Sequence, residues 1–176
     1  MLSALPNDYL QSEALYKRVE AMKTTNAIDA MARQSILDDF KERGVNLPAP
    51  ARARAKAIFE KLDQLAQDFN RNTRDVNTTL AFSEADLKGV PAQALAGRAK
   101  DAQGNYLFAL DYPEQSAIMR NAHVESTRKA FYMAFIQRGG QPNLDILKQA
   151  TALRLELAKT MGFNDYGDWA DRKSVV

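Results

Sequence analysis

Apolar residues recur at steps of three and four along most of the chain, a period that predicts amphipathic helices. Leu15, Val19 and Met22 mark a first helix after Ser12. A second is expected from about Asn26, with Ile28, Ala32, Ile36 and Phe40 as its stripe and Gly44 at its end. Pro48 and Pro50 open the longest helix, whose stripe is Ala51, Ala55, Ile58, Leu62, Leu65 and Phe69. Such a stripe faces a core or a partner helix.

The centre of the chain changes period. Thr78-Thr79-Leu80-Ala81-Phe82 is β-prone, and Ser83 with Asp86 reads as the capped start of a short helix. Gly89 and Pro91 break it, and a second short helix is expected over 92–99. Asp101 to Asn105 reads as a turn, followed by the strand Tyr106 to Leu110. Both alternating faces of that strand are apolar, which predicts cover on both sides. An isolated strand pair is marginal in water, so the two strands are expected to pair antiparallel beneath helices. Helical pattern resumes after Pro113. A helix from about Glu125 carries Phe131, Ala134 and Phe135 and stops at Gly139-Gly140. The last clear helix is expected to start at Asn143 as N-cap, to show Leu144, Leu147, Ala150, Leu153, Leu157 and Met161, and to end at Gly162.

The fold class expected is mainly α: an array of about six to eight helices with a two-stranded antiparallel β element near 78–82 and 106–110. No internal repeat or low-complexity linker interrupts it, and 1–176 reads as a single helical domain.

Composition narrows the function classes. With 176 residues and 45% hydrophobic content, the chain can build a real core. A net charge of +2 does not argue for nucleic acid. No apolar run approaches the roughly 20 residues of a membrane span. Met1 to Pro6 is followed at once by Asn7-Asp8, so no signal-peptide hydrophobic region is expected, and a reducing, cytoplasmic location fits the absence of cysteine. The ending, Trp169 to Val176, has no closing cap or proline and reads as cut where another helix should start.

Candidate chemistry is sparse. His123 is the single histidine and reads as a polar residue in a helix–helix connection, with no Ser, Cys or acid placed beside it by spacing. Asp38-Asp39, Glu13, Glu20, Glu42 and Glu60 read as solvated positions. In the basic run Arg52-Ala53-Arg54-Ala55-Lys56, Arg52 and Arg54 project about 200° apart on a helix. Glu60, Asp63 and Asp68 follow on the same helix, so a solvated surface is favoured over a nucleic-acid stripe. Gly139-Gly140 lacks the lysine and further glycines of a phosphate loop and reads as a helix stop. Asn70, Arg71 and Asn72 either satisfy backbone groups at a helix end or line a substrate channel. Arg154 invites the same alternatives, with ion pairing to a neighbouring helix favoured. No catalytic, cofactor-binding or metal-ligating residue is assigned.

The order of short motifs carries one further reading. Phe69-Asn70-Arg71-Asn72, Asn77-Thr78-Thr79-Leu80, Ser83 to Pro91, Leu110-Asp111-Tyr112-Pro113, Arg138-Gly139-Gly140, Leu153 to Ala158 and Gly162 to Tyr166 occur in succession. The series resembles the helical region upstream of the active site in the thimet oligopeptidase family, zinc metallopeptidases that include oligopeptidase A and peptidyl-dipeptidase Dcp. Departures occur at Glu114 to Ala117, where the family commonly carries an aromatic and a second proline, and at Gly167 and Trp169. The resemblance implies a mostly helical, two-lobed parent whose channel admits short peptides, with this chain as a fragment of the upstream lobe. The family motif His-Glu-x-x-His puts two ligands on one helical face with the Glu as general base. Here His123 is followed by Val124 and Glu125, so zinc is expected in the full-length parent and not in this chain.

The leading expectation is therefore a non-catalytic channel-wall portion of a zinc-dependent oligopeptidase or peptidyl-dipeptidase, inactive alone, with short peptides as partners of the parent. A stand-alone helical interaction module is the alternative. Neither nucleic acid nor membrane is expected as a partner. Self-association is expected through apolar faces around Phe131 to Phe135 and Leu144 to Met161, if the missing lobe normally covers them.

Overall fold

The computed structural model describes residues 9–171. The expectations for the start at 1–8 and for a further helix beginning at 172–176 lie outside them. The described residues fall into two compact units, one running through Gln67 and resuming at Ile146, the other Asp68–Asp145.

In the first unit, α1 (Glu13–Glu20) starts at Ser12, whose hydroxyl accepts the Leu15 N–H at 3.4 Å. Helix α2 (Ala27–Glu42) starts at Asn26, whose side-chain oxygen accepts the Asp29 N–H at 2.8 Å. Both caps satisfy amides that a helix start leaves unbonded. Gly44 follows α2 at φ +84°. Arg33 of α2 donates to the carbonyls of Val19 and Glu20 in the last turn of α1, where Val19 also accepts the Met22 N–H.

The expected α2 stripe is only partly right. Phe40 is buried together with Leu37, whereas Ile28 is 80% exposed and Ile36 is exposed as well. A strict four-residue step walks about 40° round the helix each time, so Ile28 and Phe40 lie about 120° apart, while Leu37 and Phe40 lie only about 60° apart.

Helix α3 (Ala49–Arg74) presents its expected face: Ala55, Ile58 and Phe59 cluster with Leu157, flanked by Leu62, Leu153, Met161 and Trp169. Leu157 belongs to α7 (Gly140–Thr160), and Trp169 to α8 (Tyr166–Asp171). Gly162, at φ +90°, ends α7 as expected.

The second unit is built on the strands β1 (Thr79–Phe82) and β2 (Tyr106–Ala109), antiparallel with Thr79 opposite Ala109 and Phe82 opposite Tyr106. Helices α4 (Ala92–Leu95), α5 (Tyr112–Asn121) and α6 (Glu125–Ile136) complete it. Its core gathers Phe82, Leu87, Val90, Phe108, Leu110, Ile118, Phe131 and Phe135. Phe82 and Phe108 meet edge to face at 5.9 Å.

Four local expectations change. Ser83 and Asp86 do exchange the hydrogen bonds of a cap, at 2.6 Å between hydroxyl and carboxylate, but 84–89 runs as successive turns, because Gly89 and Pro91 stop propagation at once. The helix expected over 92–99 is limited to Ala92–Leu95 by Gly97 at φ +69°. Strand β2 is covered on one face only, with Phe108 fully buried and Ala109 exposed. The apolar small residues on its outer face suggested more cover than exists. Helix α7 begins at Gly140, so Asn143 lies inside the first turn and is not the N-cap.

The expected exposure around Phe131 to Phe135 is also redistributed. Phe131 and Phe135 are buried, while Tyr132, Met133 and Ile136 on the opposite side of α6 are exposed. In α7, Leu144, Leu147 and Leu155 are exposed and Leu157 is buried.

Candidate peptide-facing cleft

An open cleft of about 710 Å³ lies within the second unit. Its walls come from the last turn of α3 (Arg71 and Asn72) with Asp75 just beyond it, the segment with Asn77 and Thr78, and the turn between α6 and α7 with Arg138, Gly139 and Gly140.

One buried side chain holds these walls together. Asn143, 5% exposed, donates from Nδ2 to the Phe69 carbonyl at 3.2 Å and the Thr73 hydroxyl at 3.0 Å. Its Oδ1 accepts from Asn72 Nδ2 at 3.0 Å. Thr73 in turn donates to the Phe69 carbonyl at 3.0 Å. A buried amide whose donors and acceptor are both used orients its neighbours, since every broken bond would leave a desolvated polar group. Gly139 at φ +82° lies directly against Asn143; a Cβ there would come 2.7 Å from the Asn143 side-chain carbon Cγ.

Arg138 is fixed in the same way. Its Nε donates to the Phe135 carbonyl at 3.0 Å, Nη1 donates to the Leu110 carbonyl at 2.9 Å, and the guanidinium lies 3.6 Å over the Phe135 ring. Arg71 pairs with Asp68 at the rim. Arg74 and Asp75 form a two-point pair, and this hydrogen bonding holds the Asp75 carboxyl below its usual range and raises Arg74. The cleft thus presents amides, hydroxyls and guanidinium groups in set positions. No Ser, Cys or His is among its lining residues.

The sequence-singled residues distribute as follows. Asn72 does satisfy a neighbouring polar group and also lines the cleft, so both readings of that motif meet in one residue; Asn70 is exposed. The helix stop expected at Gly139-Gly140 is a turn over 137–139 after α6, with Gly140 already opening α7, and both glycines line the cleft. His123 sits outside the cleft, exposed between α5 and α6, with its backbone N–H donating to the Lys88 carbonyl at 2.8 Å. Its ring lies against Gly89, where a Cβ would come 2.5 Å from Cδ2. In the first unit, the basic run is absorbed locally: Arg52 donates to the Val45 carbonyl at 2.9 Å and pairs with Glu13, and Arg54 holds Glu156 with two hydrogen bonds. Arg154 lies 5.2 Å over the Tyr166 ring, and its expected ion pair is not formed among the described residues.

Zinc does not fit this donor set. The chain has one histidine and no cysteine, and the described residues contain no cluster of three His, Asp or Glu side chains able to hold a metal ion. None of the helices in the described residues is long and apolar enough to cross a membrane.

The tertiary roles of Asn143, read as an N-cap, of Arg138, read only as part of a motif, and of Thr127 escaped the reading of the sequence. Thr127, 2% exposed, donates to the Asp86 carbonyl at 2.9 Å and pins the 84–89 turns to α6. The available signal was a polar residue at a core-facing helical position, and only the partner's location reveals its use.

No family model matches the chain. Over 140 residues, 78% of its length, it is 34% identical to a thimet-like oligopeptidase of Dictyostelium discoideum, of which it covers 20%. Oligopeptidase A of Escherichia coli strain K12 is 30% identical over 178 residues, 89% of the chain and 26% of that protein. A probable cytosolic oligopeptidase A of Arabidopsis thaliana is 26% identical over 181 residues, 90% of the chain and 26% of that protein. The chain therefore spans about a fifth to a quarter of the length of the curated relatives it matches.

Proposed function

We propose that this chain, which belongs by sequence with the thimet oligopeptidase and oligopeptidase A proteins, supplies a non-catalytic, peptide-facing wall of an oligopeptidase. The observation that carries the reading is the cleft itself: Asn72 is held by the buried Asn143 and Arg138 by the Phe135 and Leu110 carbonyls, with no Ser, Cys or His among the lining residues and the lining carboxylate of Asp75 paired with Arg74. Short peptides are the natural occupants, because an extended backbone offers the donors and acceptors that amide and guanidinium groups pair with. Hydrolysis, with the zinc expected for it, belongs to a portion of the longer protein outside these 176 residues. A cytoplasmic location is supported by the cytosolic relative's name.

Two measurements test this reading. The isolated chain, given zinc and a fluorogenic short peptide, should show no chelator-sensitive cleavage; such cleavage would overturn the non-catalytic assignment. In an amide NMR titration with a short peptide, the signals of Asn77, Gly139 and Gly140 should move together. An unchanged spectrum there sinks the wall role.

A second reading, a stand-alone helical interaction module, is favoured by one observation: the apolar side chains of Tyr132, Met133 and Ile136 face solvent on α6. The same face supports self-association. Reading the encoding frame past Val176 separates the two functions, since a downstream His-Glu-x-x-His supports the peptidase and an immediate native stop codon supports the module. Sedimentation that stays monomeric over a wide concentration range would remove self-association from either.

A further inference from the structure

The two edges of the small sheet are finished differently. Along β2 the segment 99–101 closes the edge: Leu107 donates its N–H to the Ala99 carbonyl at 3.0 Å, and Asp101 to the Asn105 carbonyl at 3.0 Å. Arg98 Nη1 covers the Leu107 carbonyl at 3.1 Å. Leu107 thus turns its backbone groups away from β1, and in an antiparallel pair the residue opposite turns its own away as well. That residue is Ala81, and Thr79, opposite Ala109, repeats the direction two positions earlier.

Nothing among the described residues bonds to the outward N–H and C=O of Thr79 or Ala81. Both residues are exposed. The usual devices that block a free edge are missing, since Thr79-Leu80-Ala81-Phe82 carries no charge and no proline and pairs in continuous register. The outward groups recur every second residue, roughly 6.8 Å apart, a spacing that another extended backbone matches donor for acceptor.

We propose that the outer edge of β1 takes up an extended peptide as a third strand, with Thr79 and Ala81 as its main-chain partners. Two peptide residues, one opposite each, exchange about four hydrogen bonds with the edge. The peptide residue between them points to the other face, beside Leu80, which is packed with Val76 against the core. An apolar side chain is therefore favoured at that central position. Asn77 and Thr78, the two residues before β1, line the cleft, so a peptide that extends past Thr79 meets the cleft wall. The inference rests on the peptide-facing reading of that wall and supplies its mode of binding.

The test is an amide NMR titration of the intact chain with three N-acetylated tripeptide amides. They are Thr-Leu-Thr, the same peptide methylated on both threonine nitrogens, and a third methylated on the leucine nitrogen alone. In strand addition the two threonine N–H groups face the edge and the leucine N–H faces away. Saturable shifts at Thr79, Leu80 and Ala81 are expected with the first and third peptides, and binding about tenfold weaker or less with the second. Equal binding of all three, or no saturation by any below about 10 mM, overturns the proposal. Shifts at Thr79 and Ala81 that grow with protein concentration in the absence of peptide would give the edge to a second copy of the chain and overturn it too. Ala81→Pro removes an outward N–H at no cost to the β1–β2 ladder and should abolish the shifts. Wild-type binding in a folded Ala81→Pro variant would sink the edge site. The signals of Gly139 and Gly140 separate this idea from the cleft. Their movement with Thr79 and Ala81 still overturns strand addition alone, whereas movement at the edge alone supports strand addition and removes the cleft.

Discussion

The two units solve the same covering problem with different residues. The first is nearly all helix, so most of its backbone groups pair within helices, and Arg33 and Arg52 reach carbonyls only at helix ends and connections. Other charged side chains stay at the surface, as in the Arg54–Glu156 pair, and α2 even carries Ile28 and Met31 out to solvent. The second unit packs turns and a two-stranded sheet around Phe108, Phe131 and Ile118, which brings non-helical carbonyls under cover. Side chains supply donors there: Thr127 for Asp86, Arg138 for Leu110 and Arg98 for Leu107, while Asn143 reaches the helical Phe69 carbonyl near the end of α3. Polar residues become structural where irregular backbone is buried, and Arg138 among them lines the candidate cleft.

The largest test of this contrast is Phe131→Ala, at a fully buried position of the second unit. It should cost about 3–5 kcal/mol in urea unfolding, the range for a truncated core aromatic. A loss below that of a surface change would show that the second core is not packed as described.

Gly89→Ala ranks next. Gly89 has φ +96°, and a Cβ there would overlap the Asn121 carbonyl and the His123 ring. Strain and overlap together should cost at least about 2 kcal/mol. Gly104→Ala, at φ +85° with open space around it, should cost only the conformational share, about 1 kcal/mol. Equal losses at the two glycines would deny the close approach of the 84–89 turns to the α5–α6 connection.

Asn143→Ala should cost about 1–3 kcal/mol, because it leaves the Phe69 carbonyl and Asn72 amide short of a partner. It should also broaden the amide signals of Asn77 and Gly139 at the cleft. Arg54→Ala, the matching change in the first unit, should leave the urea midpoint within error at physiological salt, as expected of an exposed pair.

A smaller effect concerns pH. The Asn105 side chain, then backbone amides of 103–105, hold the Asp101 carboxyl below its usual range. The turn it closes is therefore supported above the ordinary aspartate range and loses that support as pH falls through the depressed value. The Gly104 amide should exchange faster with solvent at acid pH, and Asp101→Asn should flatten that dependence. Glu156, depressed by its bond to Arg54, predicts the same direction in the first unit, removable by Arg54→Ala.

Mainly helical character, the helix starts near Ser12 and Asn26, the strand pair and the stops at Gly44 and Gly162 were legible in the chain. Each is a local event, decided by residues within one or two turns of one another. The absence of a histidine pair and of any cysteine was legible too, since counting needs no geometry. Other features depended on distant partners. The period alone could not say that α2 buries Leu37 and not Ile28, or that α6 keeps Phe131 inside and sends Ile136 out. Asn143 read as a helix cap because its local sequence allowed it; only the approach of Phe69 and Thr73, 74 and 70 residues earlier, makes it a buried tie. Glu114 had the spacing of a reciprocal cap, and tertiary structure spent it on Arg98. Local pattern determines where the backbone can be helix, strand or turn. Which polar side chains become fasteners and which are left facing a pocket is decided only when the chain closes, because desolvation belongs to the packed state.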